Sequence, residues 1–148
     1  MARFLVLLFA FWSTEALAKS LWEHNGSIVS LEAEGPFRRF YYDTPRPGVP
    51  VDPGTILFHG QRRGNRYVGT AYVFSDMCGV MGYPVMGTVS DDHLRIRLRG
   101  AAPVRDSDCI ITGFRTDELV FTYRRTAADP TVSMDTETDT PNETVEPE

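Results

Sequence analysis

The sequence of 148 residues lacks the short motifs that most often mark an enzyme. It contains no Gly-x-Ser-x-Gly, no His-Glu-x-x-His, no phosphate-binding glycine loop followed by lysine and no dinucleotide fingerprint. Only three histidines are present, and none has a partner at a spacing that local structure would bring together. We therefore expect a protein that is not an enzyme and that uses no cofactor and no metal.

Long apolar runs are also absent, apart from one near the start of the chain. Residues 4–12 form an uncharged apolar run that follows Arg3 and precedes Ala-Leu-Ala at 16–18. This is the pattern of a secretory signal peptide that is cleaved after Ala18. The nine residues of the run are too few for a membrane-spanning helix, which needs roughly 20. We expect a signal peptide at 1–18 and a periplasmic or secreted protein that does not span the membrane.

Cysteine is scarce, since Cys78 and Cys109 are the only two. No Cys-x-x-Cys is present, and a metal site would have to recruit scattered histidines, so a zinc site or a redox motif is disfavoured. Because thiols oxidise outside the cytoplasm, we predict a disulfide between the two cysteines. Closing this loop would be worth about 3 to 4 kcal/mol in the chain-entropy model.

Basic residues are missing from one segment, 127–148, which holds seven acids. It is rich in Thr and Pro and poor in apolar side chains, so we predict that it is disordered. It could be a solubilising end, a spacer or an attractor for a basic partner. Residues 19–126 carry 14 basic and 12 acidic side chains, a net charge of +2, and are expected to form one β-domain. The weak positive charge and the acidic segment argue against nucleic acid as a partner.

Short alternating runs bounded by Gly, Pro, Asn and Asp fill this domain, and no stretch has the period of a long helix. The clearest run is 94–99, in which aliphatic residues alternate with arginines. Four hairpins are predicted: 29–34 with 37–42, 55–59 with 66–74, 83–89 with 93–99, and 109–114 with 119–123 through a turn at 115–118. We expect an all-β fold of seven or eight antiparallel strands, closed as a small barrel or up-and-down meander, with a two-sheet sandwich as the alternative.

The run 37–42 supplies the first candidate binding surface. Alternation places Phe40 and Tyr42 toward the core and leaves Phe37, Arg39 and Tyr41 on the outer face. Aromatic rings beside a guanidinium suit stacking on sugar rings or on a protein partner. Packing between sheets is the alternative role for such rings, and in a closed barrel one set could face a lumen that holds a small ligand.

The arginines of the run 94–99 form the second candidate surface. Alternate residues of a strand project about 6.6 to 7 Å apart, so Arg95, Arg97 and Arg99 make a basic ladder that could bind an anion. The alternative is the solvated face of a strand, opposed by acids such as Glu32 and Glu34 on a neighbour. Exposed ion pairs of that kind would add little stability.

Several motifs occur in order along residues 21–123: WEHNGS at 22–27, YY and PRPG within 41–48, GTILFxG at 54–60, YxGTAYVF at 67–74, CG at 78–79, and GxAP at 100–103 before Cys109. Together they resemble an uncharacterised group of small exported proteins from Gram-negative, alpha-proteobacterial-type bacteria. The resemblance implies a periplasmic location. The group has no known activity, so the resemblance transfers no catalytic or binding residue.

Three functions remain open at this point. The leading expectation is a non-enzymatic domain that binds a cell-envelope component, such as cell-wall glycan, or a protein partner. The second is an inhibitor of an extracellular hydrolase, a lysozyme or a protease, in which the stiff proline-rich loop at 45–54 enters the enzyme's cleft. The third is a small hydrolase that uses His59 or His93 with an acid.

Overall fold

The computed structural model describes residues 18–126, which form eight strands and no helix. The strands are β1 (Ala18–His24), β2 (Ser27–Glu34), β3 (Phe37–Thr44), β4 (Ile56–Arg63), β5 (Arg66–Ser75), β6 (Gly79–Val89), β7 (Arg95–Arg105) and β8 (Ile111–Thr126). Each strand pairs antiparallel with the next, and β1 pairs with β8, so the sheet closes into an up-and-down barrel. The predicted all-β barrel is confirmed.

Two of the predicted segments fall outside this range. Residues 1–17 of the predicted signal peptide and the predicted disordered segment 127–148 are not among the described residues, whereas Ala18 begins β1. Within residues 18–126, no helix has the length and apolar character needed to cross a membrane.

The barrel has two different ends. One end, which we call the mouth, carries the connections from β1 to β2, β3 to β4, β5 to β6 and β7 to β8. The other, which we call the closed end, carries the remaining three connections together with residues 18 and 126. Because the strands run up and down, the inward-facing residues near each end come from all eight strands.

Large rings fill the interior of the barrel beneath the residues of the mouth. Phe40 and Phe121 stack with their centroids 4.0 Å apart, and Trp22 meets Phe40 edge-on at 6.1 Å. Phe58 contacts Phe40 on one side and Tyr67 on the other, at 6.2 and 6.4 Å. We call these five side chains, all buried, the aromatic plug. Burying one such side chain is worth about 1.5–3 kcal/mol, so the plug is a major source of stability.

A pair of glycines makes room for the plug. Gly60 on β4 lies opposite Gly69 on β5, and a Cβ on either would lie 2.2 Å from a backbone oxygen of the other strand. The same Cβ would meet the ring of Phe58 at 2.7 to 2.8 Å. The absence of two side chains therefore lets β4 and β5 approach while a large ring covers them.

The hairpins β5–β6 and β7–β8 project beyond the barrel wall at the mouth. β6 and β7 are paired only as far as Val85 and Gly100, after which the two hairpins separate. Their turns are joined again by a disulfide between Cys78 and Cys109, whose Cα atoms lie 5.3 Å apart. Arg105 braces the junction by donating to the carbonyls of residues 78 and 79 at 2.7 and 2.8 Å. The predicted disulfide is confirmed.

The predicted fourth hairpin is wrong, and β1 is missing from the predicted strands. β8 continues without interruption through residues 115–118, and its partner is β7. The polar residues at 115–118 do not form a turn. Arg115 and Asp117 are polar positions of the strand because they line a cavity at the mouth instead of the apolar core. Leu94 also differs from expectation, since β7 begins one residue later and Leu94 is 48% exposed.

Candidate functional site

A cavity of about 320 Å³ opens at the mouth of the barrel, beyond the aromatic plug; we call it the mouth cavity. Its lining combines polar and apolar side chains. The polar ones include His24, Tyr42, Arg46, Tyr83, Arg115 and Asp117, and the apolar ones include Leu57, Val73 and Leu119. A second space of about 500 Å³ adjoins it beneath the disulfide and shares Val73, Phe74 and Arg115. The barrel is therefore solid at one end and hollow at the other.

A carboxylate is fixed in the wall of the mouth cavity by two donors. The Tyr83 hydroxyl donates to Oδ2 of Asp117, and Nη1 of Arg115 donates to Oδ1 at 3.2 Å. Burial of Tyr83, followed by its hydrogen bond to the carboxylate, raises the pKa of its hydroxyl well above the ordinary value. Asp117 lies opposite Gly100 on β7, where no side chain competes for the space. The result is an oriented, negatively charged acceptor beside the cavity.

His24 adds a neutral acceptor to the same wall. Its Nδ1 lies 3.0 Å from the carbonyl oxygen of Val120, and because a carbonyl can only accept, Nδ1 carries the proton. Nε2 is then left as an acceptor. The ring stacks on Phe121 at 4.7 Å, and burial lowers the pKa of the imidazole below its ordinary value. His24 is therefore uncharged near neutral pH.

The proline-rich loop at 45–55 folds over the mouth. Val49 and Val51 pack against the core of the barrel, and the backbone N–H of Arg46 donates to Oγ of Ser27 at 2.9 Å. Beneath the loop, burial raises the pKa of the Tyr42 hydroxyl. As predicted, the loop is not a strand, and it forms part of the cavity lining.

The first predicted binding surface lies on the outer wall of the barrel. Phe37, Arg39 and Tyr41 share the outer face of β3, as alternation requires, and they line a groove of about 370 Å³ together with His59 of β4. We call this the side groove. Arg39 forms an ion pair with Glu34 at 3.5 Å.

The second predicted surface is exposed on β7, but its expected partners are different ones. Arg97 and Arg99 both pair with Glu118 of β8 instead of with glutamates of β2. Arg95 continues the same face. In a ring of eight strands β7 lies four strands from β3 in either direction, so the basic ladder and the side groove lie on opposite sides of the barrel. They do not form one surface.

The remaining histidines have polar partners that are not carboxylates. Nδ1 of His59 lies 3.1 Å from the Tyr72 hydroxyl, and Nδ1 of His93 accepts from Nη2 of Arg62 at 3.0 Å. Within residues 18–126, no group of three or more His, Cys, Asp and Glu side chains is placed to hold a metal ion.

The mouth cavity was missed by reasoning from the sequence. The local pattern predicts a turn at Asp117 and gives no partner for His24. One signal was available: Asn25-Gly26, a pair that strongly favours a two-residue hairpin turn, does form one, with φ of 48° and 80°. It would have predicted β1 and placed His24 at the end of a hairpin. No local signal joins Tyr83 to Asp117, which are 34 residues apart.

A solved structure is similar to this chain, whereas two other comparisons find no match. No family model matches the sequence, and no curated protein matches it. Among solved structures, the crystal structure of intact afifavidin in its apo form is similar to this chain, with 18% sequence identity and a TM-score of 0.48. The match covers 82% of this chain and 91% of that one.

Proposed function

We propose that this chain is an exported, non-enzymatic binding protein that holds a small polar molecule in the mouth cavity. Asp117, His24, Tyr42 and Tyr83, four residues with polar side chains, all line one space of about 320 Å³. This shared lining is the main support for the proposal. Ligand pockets in proteins commonly measure about 300–1,000 Å³ and combine apolar walls with a few placed polar groups.

The chemistry of the walls selects the class of ligand. Asp117 and His24 offer acceptors, so the ligand presents N–H or O–H donors to that side. Arg115 and Arg46 offer guanidinium donors at the rim, which suit a carbonyl or another acceptor on the ligand. Leu57 supplies an apolar contact. A compact molecule with adjacent donors and acceptors, such as an amide, a nucleobase or an amino sugar, meets these conditions.

The electrostatics favour binding over catalysis. The raised pKa of Tyr83 keeps its hydroxyl protonated near neutral pH, so it is a poor base and a poor nucleophile. Nδ1 of His24 is committed to a backbone carbonyl, whereas a catalytic histidine is usually oriented by a carboxylate. Both groups are better suited to hold a ligand than to transform it.

A thermal-shift screen of amides, nucleobases and amino sugars tests the proposal. A ligand at 100 times its Kd stabilises the folded state by about 2.7 kcal/mol, a shift of several degrees. We expect at least one compound to raise the Tm of the native protein and to lose this effect in Asp117→Asn. Glu32→Gln, on the outer wall of β2, is the matched control and should respond like the native protein. A screen without any stabilising compound, or one with equal shifts in Asp117→Asn, would contradict the proposal.

The side groove supports a second binding function, directed at cell-wall glycan or a protein partner. Phe37, Arg39 and Tyr41, the three residues predicted from the sequence on β3, do line one groove. Co-sedimentation with purified peptidoglycan tests it. We expect Tyr41→Ala to reduce sedimentation, whereas Arg97→Ala on the opposite side leaves it unchanged. Equal sedimentation of both variants would remove this surface from consideration.

The inhibitor and hydrolase hypotheses receive less support. In the loop at 45–54, which the inhibitor hypothesis places in an enzyme's cleft, Val49 and Val51 pack against the core of the barrel instead of projecting from it. His59 and His93 bond to Tyr72 and Arg62, so neither has the acid that a hydrolase would need as its hydrogen-bond partner within residues 18–126. Assays of lysozymes and proteases with excess protein, expected to show no inhibition, check the first point.

Export is part of the proposal, and the disulfide supports it because such bonds persist in oxidising compartments. Mass spectrometry of the exported protein should give a chain that begins at Lys19. Reduction should add the mass of two hydrogens. A chain that retains residues 1–18 would contradict the predicted cleavage.

A further inference from the structure

The closed end of the barrel is strongly basic. Three carboxylates lie there, Glu34, Asp91 and Asp92. Eight basic residues lie on its strand ends, namely Lys19 and seven arginines: Arg38, Arg62, Arg63, Arg66, Arg95, Arg124 and Arg125. The closed end thus has a net charge of +5, whereas the other charged side chains of residues 18–126, six basic and nine acidic, sum to −3. The molecule is polarised along the barrel axis.

The positive charge of the closed end is not neutralised locally. Among residues 18–126, none of these seven arginines forms an ion pair, and the arginines that do lie on the barrel wall or at the mouth. Arg38 donates to the carbonyls of residues 35 and 37, and Arg62 donates to that of residue 64, so both keep their full charge. Arg95, Arg124 and Arg125 are exposed.

The chain that follows β8 starts at this end and carries the opposite charge. Residues 127–148 hold seven acids and no base. The backbone N–H of Tyr123 donates to the carbonyl of Leu94 at 2.9 Å, so the end of β8 lies beside the start of β7, where Arg95 stands. These 22 residues can reach about 70 Å when extended, and an eight-stranded barrel is only about 16 Å across. Every arginine of the closed end is within their reach.

We propose that the acidic segment 127–148 docks on the closed end of its own barrel. Single exposed ion pairs contribute about 0–1 kcal/mol, but the tether supplies an effective concentration in the millimolar range and several pairs can form together. The docked segment neutralises the arginines of the closed end. Because the mouth cavity lies at the opposite end, this interaction goes beyond the proposed ligand binding.

Zero-length carbodiimide cross-linking of the full chain tests the docking, because it joins only an amine and a carboxylate in direct contact. Lys19, at the closed-end start of β1, is the only native lysine, so Arg66→Lys and Arg95→Lys each add one amine at a new position of the closed end. We expect cross-links from positions 66 and 95 to acids of 127–148 at 20 mM NaCl, falling about fivefold at 500 mM as charges are screened. Arg99→Lys, beside Glu118, is the matched control and should cross-link to that residue.

A variant with a neutralised segment and a series of protein concentrations distinguish docking within one chain from other contacts. Neutralising the segment with Asp135→Asn, Glu137→Gln and Asp139→Asn should reduce the yield at positions 66 and 95 without changing the link from position 99. If position 99 cross-links and positions 66 and 95 do not reach 127–148, the docking is refuted. Cross-links found only between two chains, with a yield that rises with protein concentration, would refute docking within one chain.

Discussion

Removing one oxygen atom from Tyr83 should measurably destabilise the barrel. In Tyr83→Phe, Oδ2 of Asp117 loses its buried hydroxyl donor, while Arg115 still serves Oδ1. Hydrogen bonds to charged groups are worth about 1.5–3 kcal/mol. The Asp117 side chain is 23% exposed, so water replaces part of the lost bond. We therefore expect the free energy of unfolding to fall by about 1.5–2 kcal/mol, or the Tm by about 6–12 °C.

Urea denaturation followed by tryptophan fluorescence measures this change. An unchanged m-value would show that the folded and unfolded states keep their compactness. Tyr123→Phe is the matched control, because it removes the same atom from a hydroxyl that shares a 3.1 Å hydrogen bond with Thr126 at an exposed position. The control should cost less than about 0.5 kcal/mol.

A double-mutant cycle shows whether the effect belongs to the hydrogen bond. Tyr83→Phe and Asp117→Asn, measured separately and together, should give a coupling energy of about 1 kcal/mol or more. A coupling energy near zero would mean that the two groups act independently, and the idea of an oriented carboxylate at the mouth would fail with it. Equal losses in Tyr83→Phe and Tyr123→Phe would lead to the same conclusion.

Three other perturbations follow from the structure. Burial lowers the pKa of His24 below 6.5, so at low pH the unfolded chain takes up a proton that the folded chain resists. The free energy of unfolding should therefore decline as the pH falls below about 6.5. Urea titrations at several pH values measure this decline, which His24→Gln should reduce. Replacing both Cys78 and Cys109 by Ser should cost about 3.7 kcal/mol in the chain-entropy model, and reductant should then have no further effect on Tm. Gly69→Ala places a Cβ 2.2 Å from a backbone oxygen of the paired strand and should lower the free energy of unfolding by about 2–3 kcal/mol. Gly113→Ala, where the Cβ meets open space, should leave it nearly unchanged, and calorimetry of both variants measures the difference.

The sequence predicts those features of the fold that depend on local pattern. Strict alternation predicted that Ile96 and Leu98 are buried beside exposed arginines, and it sorted Phe40 from Tyr41. The disulfide followed from the presence of only two cysteines in a chain with an export signal. Each of these predictions needs only the pleat of a strand or the chemistry of a thiol, and neither depends on how the barrel closes.

The candidate site depends on closure and was therefore beyond local pattern. A polar residue can face the interior at position 117 because Asp117 lines a cavity there. The cavity begins where the rings of the aromatic plug end, and those rings come from strands that are distant in the sequence. Nothing near residue 117 in the sequence reports where those rings end. The partner of Arg97 and Arg99 is likewise set by the neighbour of β7 in the closed ring, which is β8 and not β2.

The hydrogen bond from His24 to Val120 has a consequence for how the barrel opens. β1 and β8 meet with no connecting turn, and this bond joins residues 96 apart in sequence. Their seam is held by non-covalent contacts, which include a short antiparallel ladder, the edge contact of Trp22 with Tyr123 at 5.4 Å, the stack of His24 on Phe121 at 4.7 Å, and this bond. His24 also lines the mouth cavity. A molecule that engages Nε2 would hold the same ring in place, so occupancy should slow amide hydrogen exchange along β1 and turn the seam into a reporter of what the barrel carries.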